Sequence, residues 1–179
     1  MGKREAVKKP KSPRDFYATI DPDAVAPLLP FIKGKTYAEP CAGKGDLVDL
    51  IGDNAECVWA SDIHNNTDSL DSYDASDMWL DVFYEADLII TNPPFSKSLL
   101  LPIIDHLVQS GKPVWLLLPA DIIHNLYMAP YMQNCNRIVS VGRLCWFLDE
   151  TTGKKVKGVD NYVWLEMVSY KTLTTFHSR

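Results

Sequence analysis

The 179-residue sequence lacks the marks of several functional classes. No apolar run approaches the roughly 20 residues that a membrane-spanning helix needs, and no apolar segment follows the charged N-terminus, as it would in a secretory signal. The four cysteines and four histidines are scattered, with neither a CxxC pair nor metal-ligand spacing. These absences predict a cytoplasmic protein with reduced thiols, no membrane segment and no metal site.

Charge is plentiful but unevenly distributed. The chain has a net charge of −5, yet residues 1–14 hold six basic residues against one glutamate, which is +5 and leaves −10 for the rest. This segment is rich in lysine and proline and poor in apolar residues, so it is predicted to be a disordered arm before a single domain over 15–179. The arm and a second basic run at Lys154, Lys155 and Lys157 either contact phosphates or are only solvated. Charge alone leaves both interpretations open.

Strand-like and helix-like segments alternate along the domain. Strands are predicted at Thr36–Glu39, Cys57–Ser61, Ala86–Thr91, Val114–Leu118, Arg137–Val141, Leu144–Leu148 and Tyr162–Val168. Helices are predicted at Asp46–Ile51 and Ser98–Ser110, and an earlier helix is expected to begin at Asp21 and to be closed by Pro30 and Gly34. This alternation predicts an α/β fold in which helices cover both faces of a parallel sheet and a final strand pair is antiparallel.

A glycine loop, Glu39-Pro40-Cys41-Ala42-Gly43-Lys44-Gly45, follows the first predicted strand. A dinucleotide-binding loop would need glycine at Val48, and a phosphate-binding loop ending at Gly34-Lys35 would need glycine at Leu29, so both are excluded. An acid at the strand end and a short GxG suit S-adenosylmethionine (SAM). Asp62 follows the second strand, where the ribose hydroxyls of an adenosine ligand would lie. The alternative is a plain glycine turn beside a surface acid.

The tetrapeptide Asn92-Pro93-Pro94-Phe95 directly follows an apolar strand run. The two prolines remove two backbone donors and fix the turn, with Asn92 extended. The Asn92 side-chain oxygen and the Pro93 carbonyl would accept the hydrogens of an exocyclic amine and direct its lone pair at a methyl donor. Phe95 offers a flat face to a base extruded from its stack. The alternative is a rigid loop with Phe95 in the core.

Together these segments resemble the amino-methyltransferase branch of class I SAM-dependent methyltransferases, in particular the small phage-type DNA adenine-N6 methyltransferases. The resemblance covers most of the chain and rests on the segments Asp15–Thr19, Glu39–Gly45, Asp62, Asn92–Phe95 and Asp160–Trp164. It implies a Rossmann-like, seven-stranded, mostly parallel sheet in the order 3-2-1-4-5-7-6 with an antiparallel last strand. It also implies methyl transfer from SAM to the N6 amino group of adenine in DNA.

The same resemblance assigns roles to residues. Asn92, Pro93, Pro94 and Phe95 match the catalytic motif. The implied cofactor site comprises Phe16, Tyr17, Thr19, Glu39, Pro40, Cys41, Ala42, Gly43, Gly45, Asp62, Ile63, Asp74, Asp77, Met78 and Asn92. Asp74 and Asp77 compete for the contact to the cofactor's adenine, and Asp77 is preferred because Met78 would pack on the ring. Lys97 and the run Lys154, Lys155 and Lys157 are expected to contact nucleic acid.

The substrate is left open by the motif itself. The same tetrapeptide serves methylation of adenine in RNA and of glutamine side chains in proteins, because all three substrates present a planar NH2 group. The basic segments favour nucleic acid, and the chain has room for target recognition only in the short segments 120–136 and 149–160. Outside enzymes, the alternative is a SAM- or nucleic-acid-binding module that has kept the fold without activity.

Overall fold

The computed structural model describes residues 18–64, 72–148 and 155–179, so predictions for the basic arm, Phe16, Tyr17 and Lys154 lie outside the described residues. Within these ranges, seven strands form one sheet. They are Thr36–Glu39 (β1), Glu56–Ala60 (β2), Leu88–Thr91 (β3), Val114–Pro119 (β4), Cys135–Leu148 (β5), Lys155–Met167 (β6) and Thr175–His177 (β7).

The sheet has the strand order β2-β1-β3-β4-β6-β5-β7. Strand β6 runs antiparallel to both of its neighbours, and the other ladders are parallel. The predicted seven-stranded, mostly parallel sheet with one antiparallel strand is therefore confirmed, but that strand is the penultimate one, and the last strand, β7, is parallel to β5.

The two edges of the sheet differ from the predicted order. The described residues between β2 and β3 contain no strand, so the outermost strand of the predicted 3-2-1-4-5-7-6 order is not observed there. The seventh strand is instead β7, which pairs with β5 at the opposite edge. It was missed because a three-residue strand is too short to show a hydrophobic period.

Strand β5 joins two segments that were predicted as separate strands. Its ladder with β6 pairs Ser140 with Val163 and Gly142 with Tyr162, so Val141 is an extra residue in a bulge. Gly142 has a φ of 93°, a left-handed conformation that glycine adopts without strain. The bulge interrupts the alternation of side chains, and this interruption made one strand resemble two.

Four α-helices accompany the sheet in the described part of the chain. They are Leu29–Ile32 (α1), Asp46–Ile51 (α2), Lys97–Val108 (α3) and Ala129–Met132 (α4). The predicted first helix is instead a 3-10 turn at Pro22–Ala24 followed by α1, and Pro30 lies in the first turn of α1 instead of ending it. Proline is tolerated there because first-turn amides have no intrahelical partner. Among these residues no helix is long and apolar enough to cross a membrane.

Each face of the sheet carries its own hydrophobic core. Strand residues alternate between the two: Trp115 and Leu117 pack with residues of α1 and α2, whereas Leu116 and Leu118 pack with residues of α3. All four are essentially inaccessible to solvent. The continuous apolar run in β4 thus reflects a strand that is buried on both faces. Helices on both faces of the sheet are confirmed.

Candidate active site

Three of the predicted site segments meet at one end of the sheet, where the carboxyl ends of neighbouring strands lie side by side. Glu39 ends β1, Asp62 follows β2 and Asn92 follows β3. The strands are adjacent and parallel, with Glu39 opposite Ala60 and Ala38 opposite Ile89. The carboxyl ends of parallel strands are where open α/β sheets bind ligands.

The glycine loop folds back onto the end of β2. The Ala42 amide donates to the Ser61 carbonyl at 2.9 Å, and the Gly43 amide donates to the Asp62 carboxylate at 2.9 Å. Gly45 has a φ of 89°, and a side chain added there would meet no atom within 4 Å. Backbone conformation therefore requires this glycine, and open space lies beside it.

Asp62 is bound to the backbone of two segments. Its second carboxylate oxygen accepts the His64 amide at 2.8 Å, and only 9% of the residue is exposed. Each oxygen of an ionised carboxylate accepts more than one hydrogen bond, so Asp62 retains acceptor capacity for hydroxyl groups. Ile63 beside it is 47% exposed, which leaves an apolar surface next to the acid.

Glu39 is the most unusual group of the site. It is 1% exposed, and its Oε2 has no hydrogen-bond partner among the described residues. Burial, together with the nearby carboxylates of Asp62 and Asp46, raises the pKa of Glu39 well above its usual range. A buried acid without a cationic partner is unfavourable when ionised. The arrangement therefore fits a ligand that brings a positive charge, such as the ammonium group of SAM.

Cys41 forms part of the wall of this site. Burial raises the pKa of its thiol to about 12, and the negative charges of Asp62, Glu39 and Asp74 act in the same direction. The thiol is therefore protonated at neutral pH and is a poor nucleophile. Cys41 is half-buried between the buried residues Pro40 and Ala42.

The two candidate acids before β3 occupy different surroundings. Asp74 acts on Cys41 electrostatically, and its Oδ1 accepts the Ser76 amide at 2.9 Å and the Ser76 hydroxyl at 2.7 Å. Asp77 is exposed, as Asp74 is, and the following Met78 is buried with its carbonyl 2.6 Å from the His106 ring nitrogen. These contacts favour Asp74 as the acid nearer the glycine loop. The assignment of Asp77 to the cofactor's adenine stays a prediction.

Asn92 is held by a residue from the start of the described chain. Its side-chain Nδ2 donates to the Thr19 hydroxyl at 3.0 Å, and Thr19 is only 4% exposed. Asn92 itself is half-buried and follows the fully buried Thr91. The structure thus brings Thr19 to the predicted catalytic motif.

The remainder of the tetrapeptide packs against an aromatic cluster. Pro93 is buried, and Pro94 and Phe95 are half-buried. The Phe95 ring centroid lies 6.0 Å from that of Tyr162 and 6.3 Å from that of Trp146, which are themselves 4.9 Å apart. Trp146 had no predicted role at the site, and Tyr162 appeared only within the segment Asp160–Trp164. The apolar alternation of these strands could have placed them in the core but not beside Phe95.

The lysines predicted to bind nucleic acid lie in different environments. Lys97, at the start of α3, is exposed, with its Nζ 5.1 Å from the Tyr127 ring centroid. Lys157 is exposed and forms an ion pair with Asp23 at 2.9 Å. Lys155 begins β6. Lys97 is therefore the described lysine that lies closest in the chain to Asn92.

Comparisons with solved structures identify the fold. A candidate RNA methyltransferase from Pyrococcus horikoshii is 15% identical, with a TM-score of 0.56 over 92% of this chain and 93% of its own. A candidate hemolysin from Lactococcus lactis is 12% identical, with a TM-score of 0.51 over 91% and 94%. A candidate class I SAM-dependent methyltransferase from Listeria monocytogenes is 13% identical, with a TM-score of 0.50 over 88% and 62%.

The fold is the Rossmann-like fold of class I methyltransferases. At these identities the similarity concerns architecture and carries no activity by itself. No protein-family model matches the chain, and no curated protein matches it by sequence. Function must therefore be argued from the residues at the edge of the sheet.

Proposed function

We propose that the protein transfers a methyl group from SAM to an exocyclic amino nitrogen, with N6 of adenine in DNA as the substrate group. One observation carries the proposal: Asn92, which begins a Pro-Pro turn, lies at the same end of the sheet as the buried Glu39, whose Oε2 has no hydrogen-bond partner among the described residues. A neutral amide suits an amine substrate, and a buried acid suits a cationic cofactor. The site therefore has a place for each reactant.

The residues at the ends of β1 and β2 fit the cofactor. When bound, SAM supplies an electrophilic methyl group on a sulfonium. Glu39 would bind its ammonium group and Asp62 its ribose hydroxyls, while the space beside Gly45 lets the ligand approach the backbone. Asp74 or Asp77 would accept from the adenine.

Asn92 and Pro93 would activate the substrate by position alone. An exocyclic amine on an aromatic ring is a weak nucleophile because its lone pair is delocalised. If the Asn92 oxygen and the Pro93 carbonyl accept the two amine hydrogens, the nitrogen becomes pyramidal and its lone pair turns out of the ring. Preorganised acceptors of this kind lower the barrier without a strong base. A half-buried Phe95, fixed by Trp146 and Tyr162, would support the flat substrate.

Nucleic acid is the favoured substrate class because of the surface next to Asn92. Lys97 follows the tetrapeptide and projects beside Tyr127, and the adjacent Leu126 is 90% exposed. A cation beside a half-buried aromatic ring and an exposed apolar side chain suits nucleic-acid contacts. Adenine in RNA is the second candidate, and the named activity of the Pyrococcus horikoshii protein favours it.

The test is transfer of labelled methyl from SAM to unmethylated DNA, to RNA and to a protein lysate, with Asn92→Ala as control. We expect label in DNA as N6-methyladenine with the wild type and very little with the variant. Label in RNA alone, or in protein glutamine alone, would keep the chemistry and reject the DNA assignment. Measurable SAM binding with no transfer to any acceptor would instead support a binding module without activity.

A further inference from the structure

The hydrogen bond between Asn92 and Thr19 joins residues that are 73 positions apart. It is a bond between two side chains, and the Thr19 hydroxyl is buried with its residue only 4% exposed. Buried polar groups are nearly always hydrogen-bonded, and losing one partner costs more than an exposed bond would. The contact is therefore a stable structural feature of the site, unlike a chance contact between two exposed side chains.

The segment that carries Thr19 is anchored independently of any ligand. Two residues later, the Asp21 carboxylate accepts the Cys145 amide at 2.9 Å. The Trp164 indole then donates to the Ala24 carbonyl at 2.7 Å. These bonds tie the segment to β5 and β6, so Thr19 has a fixed position against which the Asn92 side chain can be held.

We propose that Thr19 is a positioning residue that orients the Asn92 side-chain amide, with its oxygen presented to the substrate amine. This inference rests on the proposed function and gives Thr19 a role different from the predicted contact with the cofactor, which stays a prediction. The two ends of an asparagine amide are nearly identical in shape but opposite in hydrogen bonding. Rotated by half a turn, Asn92 would present NH2 to a substrate NH2, and two donors do not bind each other. A hydroxyl can donate as well as accept, so the bond to Thr19 holds the amide in place, and in the observed orientation Thr19 accepts from Nδ2 and leaves the oxygen for the substrate amine.

The test compares Thr19→Val, which is similar in shape but has no hydroxyl, with Thr19→Ser, which keeps the hydroxyl. We expect Thr19→Val to lower kcat about 10- to 100-fold, since small misplacements of catalytic groups have effects of that size. The SAM Kd, measured by calorimetry, should change less than about 2-fold, and Thr19→Ser should retain most of kcat. A SAM Kd that weakens as much as kcat falls would restore Thr19 to the cofactor site. Equal loss in both variants would reduce its role to packing.

Two further measurements separate this inference from the proposed function. In an Asn92→Ala background, Thr19→Val should have no additional effect on kcat, whereas additive losses would show that Thr19 acts by another route. In a 15N-labelled protein, the Asn92 side-chain amide protons, identified by their loss in Asn92→Ala, should exchange slowly in the wild type and faster in Thr19→Val. This readout needs no turnover. Unchanged exchange would overturn the orienting role even if methyl transfer is confirmed, and absent transfer with altered exchange would reject only the proposed activity.

Discussion

The candidate site lies at the carboxyl ends of β1, β2 and β3. Its half at β1 and β2 differs from its half at β3 in charge and in rigidity. At the ends of β1 and β2, Glu39 and Asp62 are buried close to Asp46, and no cation pairs with Glu39 among the described residues. At the end of β3, Asn92 is neutral, is bonded to Thr19 and is followed by two prolines. The first half holds buried acids with no paired cation among the described residues, and the second half holds a neutral side chain in a fixed conformation.

This difference indicates how the site divides its work. A cluster of buried acids lowers the stability of the unliganded protein and raises its affinity for a cationic ligand. Binding sites often combine lower stability with higher ligand affinity in this way. A neutral and rigid amide contributes little to the binding of a cation but can position a second reactant. Variants in the two halves should therefore have separable effects on cofactor affinity and on turnover.

The largest expected effect is that of Asn92→Ala on turnover. Removing the amide oxygen should lower kcat about 100- to 1,000-fold, as removal of one preorganised catalytic group does in other enzymes. The SAM Kd should stay within about 3-fold, because Asn92 is placed on the substrate side. The check is kcat by methyl transfer beside Kd by calorimetry. A parallel loss in both would remove the distinction between the two halves.

The next effect is that of Asp62→Ala on cofactor affinity. The substitution removes a carboxylate that accepts the Gly43 and His64 amides and is predicted to bind the ribose hydroxyls. A hydrogen bond to a charged group contributes about 1.5–3 kcal/mol, so the SAM Kd should rise about 10- to 150-fold. Turnover at saturating SAM should fall much less. An unchanged Kd would exclude Asp62 from the cofactor site.

Glu39→Gln should weaken SAM binding and, without ligand, stabilise the protein at neutral pH. The pKa of Glu39 in the folded protein lies above that of an unfolded glutamate, about 4.3. Between these two pKa values the native chain keeps a proton on Glu39 that the unfolded chain has lost. Stability is then lost as the pH rises towards the folded pKa. A glutamine avoids this loss, so Tm should match the wild type near pH 4 and exceed it at pH 8 by about 2–4 °C per kcal/mol gained.

The control for this prediction is Asp46→Asn. Asp46 is half-buried and contributes less than burial and Asp62 to the raised pKa of Glu39, so its substitution should change Tm less than Glu39→Gln does. If the pH dependence of Tm is the same in Glu39→Gln and the wild type, Glu39 is already paired in the empty site. The contrast between the two halves would then disappear.

The smallest expected effect is that of Lys97→Ala on nucleic-acid affinity. One lost phosphate contact should weaken binding modestly and lower the slope of log affinity against log salt by about 1. The matched control is Lys33→Ala, which removes an exposed lysine before the amino end of β1. Salt-dependent binding that is equally affected by both variants would indicate general charge attraction instead of a contact beside Asn92.

Much of the fold could be predicted because most of its strands and helices have recognisable patterns in the local sequence. Strand β1 and helix α2 have the predicted bounds, and β4 differs by one residue. Their apolar runs and the intervening glycine loop are short-range patterns. The bulge at Gly142 and the edge strand β7 were missed, because bulges and three-residue strands are defined by their partners.

The candidate site could be predicted only in part for the same reason. Asn92 and Glu39 follow strand runs that the sequence displays, so their convergence at one sheet edge could be expected. The partner of Asn92, however, is 73 residues away. The aromatic cluster of Phe95, Trp146 and Tyr162 joins the turn after β3 to strands β5 and β6, which no local pattern connects.

Local sequence alone decided most of the order of strands and helices, the conformation at the glycines and prolines, and the chemical groups placed at strand ends. Backbone propensity and side-chain periodicity act over a few residues, so they are already present in the chain. Only the tertiary structure decided which groups meet: Thr19 with Asn92, β7 beside β5, and Glu39 in a buried site where no described residue supplies a cation. Burial, pairing and pKa depend on atoms that are distant in sequence and become neighbours only when the sheet has formed.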